Sequence, residues 1–151
     1  MESDRDKDVQ AIRSLVARQF NSISWREGET PDWAAFERDF LPDAALYASA
    51  RPLRSQTTGQ FIERMSGLVG KTLHSFEETV LGSRIHVFGN VAVAVIACEN
   101  VENGMETNRN VEMMLLVKDE GVWRIAAQAW DRQDAANPVT SQVWEPEGRS
   151  P

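Results

Sequence analysis

The stretch Val91-Ala92-Val93-Ala94-Val95-Ile96-Ala97-Cys98-Glu99-Asn100-Val101-Glu102-Asn103-Gly104-Met105-Glu106-Thr107-Asn108-Arg109-Asn110-Val111-Glu112-Met113-Met114-Leu115 decides how this chain reads. Two long runs rich in β-branched and apolar residues flank Asn103-Gly104, a pair that accepts positive φ at both centres of a two-residue hairpin. Such a loop sets Glu102 opposite Met105, Glu99 opposite Asn108, Ala97 opposite Asn110 and Val95 opposite Glu112. Glu99, Asn110 and Glu112 then share one sheet face with Val93 and Met114. Arg109 falls on the other, with Ala94, Ile96, Cys98, Val111, Met113 and Leu115. Apolar side chains occupy both faces, so both need cover.

Outward from this pair the same period continues. Gly89-Asn90 separates residues 85–87 from 91–95, and Glu120-Gly121 precedes residues 122–130, so the chain from Leu73 to about Asp134 reads as a meander of long strands. A two-residue loop at Glu120-Gly121 sets Asn110 opposite Asp131 and Glu112 opposite Ala129, which brings Asp131 to the polar face.

The amino-terminal third has the helical period instead. Val9, Ile12, Leu15, Val16 and Phe20 recur at spacings of three and four, predicting an amphipathic helix over residues 4–22. Thr30-Pro31 reads as the cap and first position of a second helix bearing Trp33, Phe36 and Phe40, ended by Pro42-Asp43. Residues 44–49 read as a short strand. Thr57-Thr58-Gly59-Gln60 is a capping box for a third helix carrying Phe61, Ile62, Met65, Leu68 and Val69, with Gly70 as its stop. Three helices cover one sheet face. A homodimer packed sheet to sheet is the simplest cover for the other.

Bulk properties narrow the function. A length of 151 residues suits one domain. The division expected is a domain over residues 1–138 and an extended tail over 139–151, where Pro138, Pro146 and Pro151 break any period and Trp144 is the residue able to dock the tail. A net charge of −7 opposes binding to nucleic acid. No basic amphipathic helix offers itself to an anionic membrane, and no apolar run approaches the ~20 residues of a spanning helix. The acidic start, Asp4 to Asp8, is unlike a secretory leader, so the expected location is cytoplasmic. One cysteine, Cys98, is too few for a disulfide or a structural zinc site and reads as a buried, inert thiol; no metal or cofactor is expected.

Three helices followed by a long antiparallel meander resemble the nuclear transport factor 2-like superfamily, with ketosteroid isomerase, scytalone dehydratase, limonene epoxide hydrolase and the SnoaL-like cyclases among its members. The segments carrying the resemblance are Asp32-Trp33 through Phe40-Leu41-Pro42-Asp43-Ala44, Phe88-Gly89-Asn90-Val91-Ala92, and Val122-Trp123-Arg124-Ile125 leading to Trp130-Asp131, and it covers about residues 8–138. It implies an α+β fold in which three amino-terminal helices pack on a strongly curved antiparallel sheet, a cystatin-like cone with an internal pocket. These motifs are architectural and name no reaction.

Isomerase-like chemistry needs a base and an oxyanion site built from a tyrosine and a protonated aspartic acid. The single tyrosine, Tyr47, lies on the first strand, and the base position falls near Ala48. Dehydratase-like chemistry resembles a paired-histidine site. His74 and His86 stand about 40 Å apart along a continuous strand at ~3.3 Å per residue. Hydrolase-like chemistry joins an acid, a base and an arginine, but Arg109 sits on the face opposite Glu112 and Asp131.

The expectation is therefore a small-molecule-binding protein with a largely apolar pocket for an apolar or aromatic ligand. Glu112 and Asp131 are its candidate acid–base residues, and Trp33, Tyr47, Glu99, Asn110, Met114 and Trp130 its candidate ligand contacts. The bland alternative wets Glu99 and Asp131 at an open rim and gives the tryptophans to the core. Two further readings stay open: a SnoaL-like cyclase, isomerase or hydrolase using cofactor-free general acid–base catalysis, and a dimerisation or partner-binding module with a vestigial pocket.

Overall fold

The computed structural model describes residues 3–145. Helix α1 (Asp4–Ile23) starts at a capping box in which Ser3 accepts from the Asp6 amide and Asp6 accepts from the Ser3 amide. Its apolar stripe, including Ile12, Leu15, Val16 and Phe20, is buried. Helix α2 (Trp33–Arg38) is capped by Asp32, whose side chain accepts from the Ala35 amide at 3.1 Å. The expected cap at Thr30-Pro31 is thus displaced by two residues, because the Asp32 amide is drawn back to the Ser22 carbonyl and its carboxylate is left facing the first turn. Helix α3 (Thr58–Ser66) has the expected Thr57/Gln60 capping box. It ends at Gly67 rather than Gly70, which instead takes φ 75° in the turn closed by its amide on the Leu73 carbonyl.

Six strands form one sheet in the order β2-β1-β6-β5-β4-β3. These are β1 (Phe40–Tyr47), β2 (Ser55–Gln56), β3 (Phe76–Phe88), β4 (Val91–Glu102), β5 (Glu106–Asp119) and β6 (Val122–Arg132). The last four are the predicted meander. Strand β1 begins at Phe40, earlier than expected, and runs parallel to β6 while the other pairs are antiparallel. The helices pack on one face, and the core lies between them and the sheet.

Three single-residue frame shifts govern which side chains face that core. The Asn103-Gly104 loop has one residue more than predicted: Glu102 pairs with Glu106, leaving Met105 unpaired. Its geometry has a cause, since Asn103 at φ 54° turns its side chain onto the segment before β3. There Oδ1 accepts from the His74 amide at 2.7 Å and Nδ2 donates to the Thr72 carbonyl at 3.1 Å. Strand β3 carries an extra residue, Leu81, between the pairs Val80/Cys98 and Gly82/Ala97. Strand β6 carries another, Ala126, between Leu116/Ile125 and Leu115/Ala127. Such bulges bend a strand and raise its twist, which curves the sheet around the helices.

The inner face of the central strands accordingly holds Ala92, Ala94, Ile96 and Cys98 of β4, and Asn110, Glu112, Met114 and Leu116 of β5, all buried. The outer face holds Val91, Val93, Met113 and Leu115, each between 44% and 56% exposed. The carboxyl-terminal segment folds over another part of that outer face. A short 3-10 helix (Ser141–Val143) contacts β4, and the Trp144 indole sits so close over Gly82 that a Cβ there would collide with it. Among the described residues no helix is long and apolar enough to cross a membrane.

Candidate functional site

A cavity of about 220 Å³ opens between the helices and the inner sheet face. Its apolar wall comes from α1 (Phe20, Ile23), α2 (Phe36), α3 (Phe61, Met65) and β1 (Leu46). Phe36 stacks on Phe61 at 5.3 Å between ring centroids, and Phe61 meets Trp130 edge to face at 5.9 Å. These contacts hold the aromatic wall in one arrangement. Gln19, buried in α1, donates to the Phe36 carbonyl at 2.8 Å and ties the first helix to the second.

The polar floor is built by β3, β4, β5 and β6. Oxygens of Glu78 and Glu112 and the sulfur of Cys98 all lie within 4.8 Å of one another. The two carboxyls stand close enough to interact through a shared proton. Burial and the neighbouring Glu112 carboxylate hold Glu78 well above the usual carboxylate range. Burial pushes Glu112 up to about 7, against the hydrogen bond from Glu78, which favours its charged form. Two acids this close cannot both ionise cheaply, so they share a proton, with Glu78 as donor and Glu112 as acceptor.

Around the pair, Gln128 Nε2 donates to Glu112 Oε2 at 3.1 Å. The Cys98 thiol donates to Asn110 Oδ1 at 3.0 Å, and Asn100 Nδ2 donates to the same oxygen at 3.1 Å. Burial, with the two nearby carboxyls, raises the thiol pKa and outweighs the bonds to Asn110, which lower it, so Cys98 stays protonated. Glu78, Cys98 and Glu112 present three potential metal-ligating atoms. As arranged they are organised around protons, the thiol's on Asn110 and one carboxyl's on the other, whereas a metal needs those ligands ionised. Two acceptors on this floor, Gln128 Oε1 and Asn100 Oδ1, are buried without a hydrogen-bond partner.

Of the residues predicted from sequence, Asn110, Glu112, Met114 and Trp130 line this cavity; Trp33, Tyr47, Glu99 and Asp131 lie outside it. The predicted shared face of Glu99, Asn110, Glu112 and Asp131 is corrected by the frame shifts. With Met105 unpaired, Glu99 faces Arg109 and bonds its Nε at 3.0 Å on the outer face. With Ala126 inserted, Asp131 pairs with Val111 and is exposed, while Trp130 takes the place opposite Glu112. Tyr47 pairs with Ala129. Trp33 packs edge to face on Phe36 at 5.9 Å, behind the cavity wall.

Sequence reasoning missed Glu78 and Gln128. Glu78 has a readable signal, because it is two residues from Phe76 on a strand and must share its face. Counting from the Gly89-Asn90 hairpin hides this, because the Leu81 bulge reverses the alternation between the two ends of β3.

Solved structures confirm the architecture. The chain superposes on hexachlorocyclohexane dehydrochlorinase LinA-type3 from Novosphingobium barchaimii with a TM-score of 0.71 at 14% identity, covering 87% of this chain and 90% of that one. A protein with a cystatin-like fold from Caulobacter vibrioides gives 0.66 at 16% identity, covering 86% and 92%. A nuclear transport factor 2-like protein of unknown function from Silicibacter pomeroyi gives 0.63 at 19%, covering 87% and 100%. Identities this low establish the fold alone. No curated protein matches the sequence. The fold is that of nuclear transport factor 2-like proteins. The family model described as "Putative lumazine-binding" matches residues 7–131, most of the chain, and the chain belongs to that family.

Proposed function

We propose that this protein binds a small planar molecule in the cavity between its helices and sheet, with the Glu78–Glu112 pair as the polar anchor. The observation that carries this reading is the combination of one proton-sharing acid pair with a wall of aromatic and aliphatic side chains. Apolar surroundings supply affinity through burial, and a few placed polar groups supply orientation. The family description supports a heteroaromatic ligand of the size of lumazine. The exposed apolar patch of Val91, Val93, Met113 and Leu115 supports a homodimer through the outer sheet face.

Thermal shift with lumazine and with 2-naphthol tests the proposal. At least one probe raises Tm in proportion to the logarithm of its concentration above Kd. Glu112→Gln weakens the response by roughly tenfold or more, the order expected for a hydrogen bond to a charged group. No shift with either probe sinks the pocket reading. An unchanged shift in Glu112→Gln sinks the anchor.

A second reading is favoured by one observation. Glu112 sits near neutrality beside a carboxyl that keeps its proton, so one can accept a proton while the other donates. Cofactor-free acid–base chemistry, as in a cyclase, isomerase or hydrolase, follows if a bound compound turns over and Glu112→Gln and Glu78→Gln each abolish turnover while retaining binding.

A further inference from the structure

We infer that the ligand of this cavity presents a nitrogen-rich, proton-donating edge to the floor, and that a planar amidinium or 2-amino-heterocyclic cation is the class best matched to it. The inference rests on the pocket reading above and specifies its chemistry.

Two acceptors on the floor are left without a donor. Gln128 is only 8% exposed and lines the cavity, and its Nε2 is spent on Glu112, so its Oε1 is left as an orphaned acceptor. Asn100 is fixed the same way: its Nδ2 is spent on Asn110, leaving Oδ1 orphaned. In this arrangement both amide oxygens are left without a donor. A buried acceptor without a donor is destabilising, and these two stand beside a carboxyl pair that offers further lone pairs. A ligand acceptor, such as a carbonyl or carboxylate, would find no donor at either of these two oxygens. An N–H edge would meet a partner at each position.

Positive charge adds to the match. A planar cation with two parallel N–H groups fits a carboxylate in a bidentate manner, as guanidinium does. It also removes the reason for the pair to share a proton, since the ligand's charge then balances the second carboxylate. The Glu78 proton leaves to the buffer, and the bound state holds two ionised carboxyls against one cation.

The groups that face the pair are consistent with this. Cys98, on β4, is neutral and its proton points to Asn110. Helix α1 contributes Gln19 and no charge to the lining. Glu102 of β4 adds a carboxylate, while Arg64 of α3, Arg109 of β5 and Arg132 of β6, which pairs with Asn110, also line the cavity. Arg109 is already paired with Glu99, and Arg64 and Arg132 are exposed, so solvent screens them from the floor.

Isothermal titration with benzamidine, benzamide and benzoate, at pH 8 in phosphate and in Tris, tests the inference on the native chain. These three probes share size and planarity and differ in charge and in the edge they present. Benzamidine is expected to bind at least tenfold more tightly than benzamide, with benzoate weakest. The buffer dependence of its heat should report release of close to one proton per ligand. Glu112→Gln and Glu78→Gln should each erase the preference for the cation and the proton release. Benzamide or benzoate binding as tightly as benzamidine, or benzamidine binding without proton release, overturns this inference and leaves the pocket reading intact. Failure of all three to bind, together with no response to lumazine or 2-naphthol, overturns both.

Discussion

Replacing Glu112 by Gln should flatten the dependence of stability on pH. In the folded chain the Glu112 carboxyl stands at about 7, against 4.5 for an unperturbed glutamic acid. Between these two values the folded protein holds a proton that the unfolded chain has released, so stability falls as pH rises through this window and stays low above it. The gap, at about 1.4 kcal/mol per pH unit, integrates to roughly 3 kcal/mol. Glu78, also raised, extends the decline in the same direction. Asp8 acts oppositely but elsewhere: the Trp123 indole N–H, at 2.9 Å, and Lys118 lower its pKa below 3.8. Its stabilising contribution is therefore present above about 3.8 and lost only as pH falls below that. Urea unfolding at half-unit steps from pH 5 to 8 measures the effect. With an m-value of ~1–3 kcal/mol/M for a small domain, the native midpoint should drop by about 1–3 M across the range. Glu112→Gln removes the titrating group, so its midpoint should decline far less and overtake that of the native chain near pH 8. A native midpoint that is flat or rises from pH 5 to 7, or a variant that declines equally, refutes the shared-proton description.

Other outcomes follow from the same geometry. Asn103→Ala removes the side-chain bonds to the His74 amide and the Thr72 carbonyl and puts a Cβ-bearing residue without a polar tip at φ 54°, so chemical denaturation should show a loss of about 2 kcal/mol. Asn103→Gly relieves the backbone but not the lost bonds and should recover only part of it. Gly82→Ala expels the Trp144 indole from the outer sheet face, which red-shifted tryptophan emission and faster tail proteolysis would report. Met113→Lys combined with Leu115→Glu places charge in the exposed apolar patch. Sedimentation velocity should then show a monomer of 17 kDa, against the dimer expected of the native chain; a native monomer would refute the proposed dimer.

The elements of this fold were legible because their signals are local. The stripe of Ile12, Leu15, Val16 and Phe20, the Thr57/Gln60 capping box, and the glycine loops at Gly89 and Gly121 each depend on residues a few positions apart. The polar floor was half legible. Asn110, Glu112 and Met114 keep company at alternate positions of one uninterrupted strand whatever its partners do. Glu99, Asp131 and Glu78 had to be placed by counting across a loop or a bulge, and one uncounted residue inverts the answer. Asn103 adds a residue to its loop because of bonds to Thr72 and His74, about thirty positions away. No reading of the hairpin alone contains that information.

The extra residue at Ala126 acts on β6 as a frameshift acts on a message: everything downstream is read in the other phase. In the present phase an indole, Trp130, faces the acid pair and a carboxylate, Asp131, faces water. Deleting Ala126 would exchange them, putting a third acid on the floor and a tryptophan on the outside, without altering any side chain downstream. Cones of this kind therefore have a route to new interior chemistry that point substitution does not provide. A one-codon deletion or insertion in a strand can swap one alternate set of side chains for the other, while the helices and the opposing strands stay where they are.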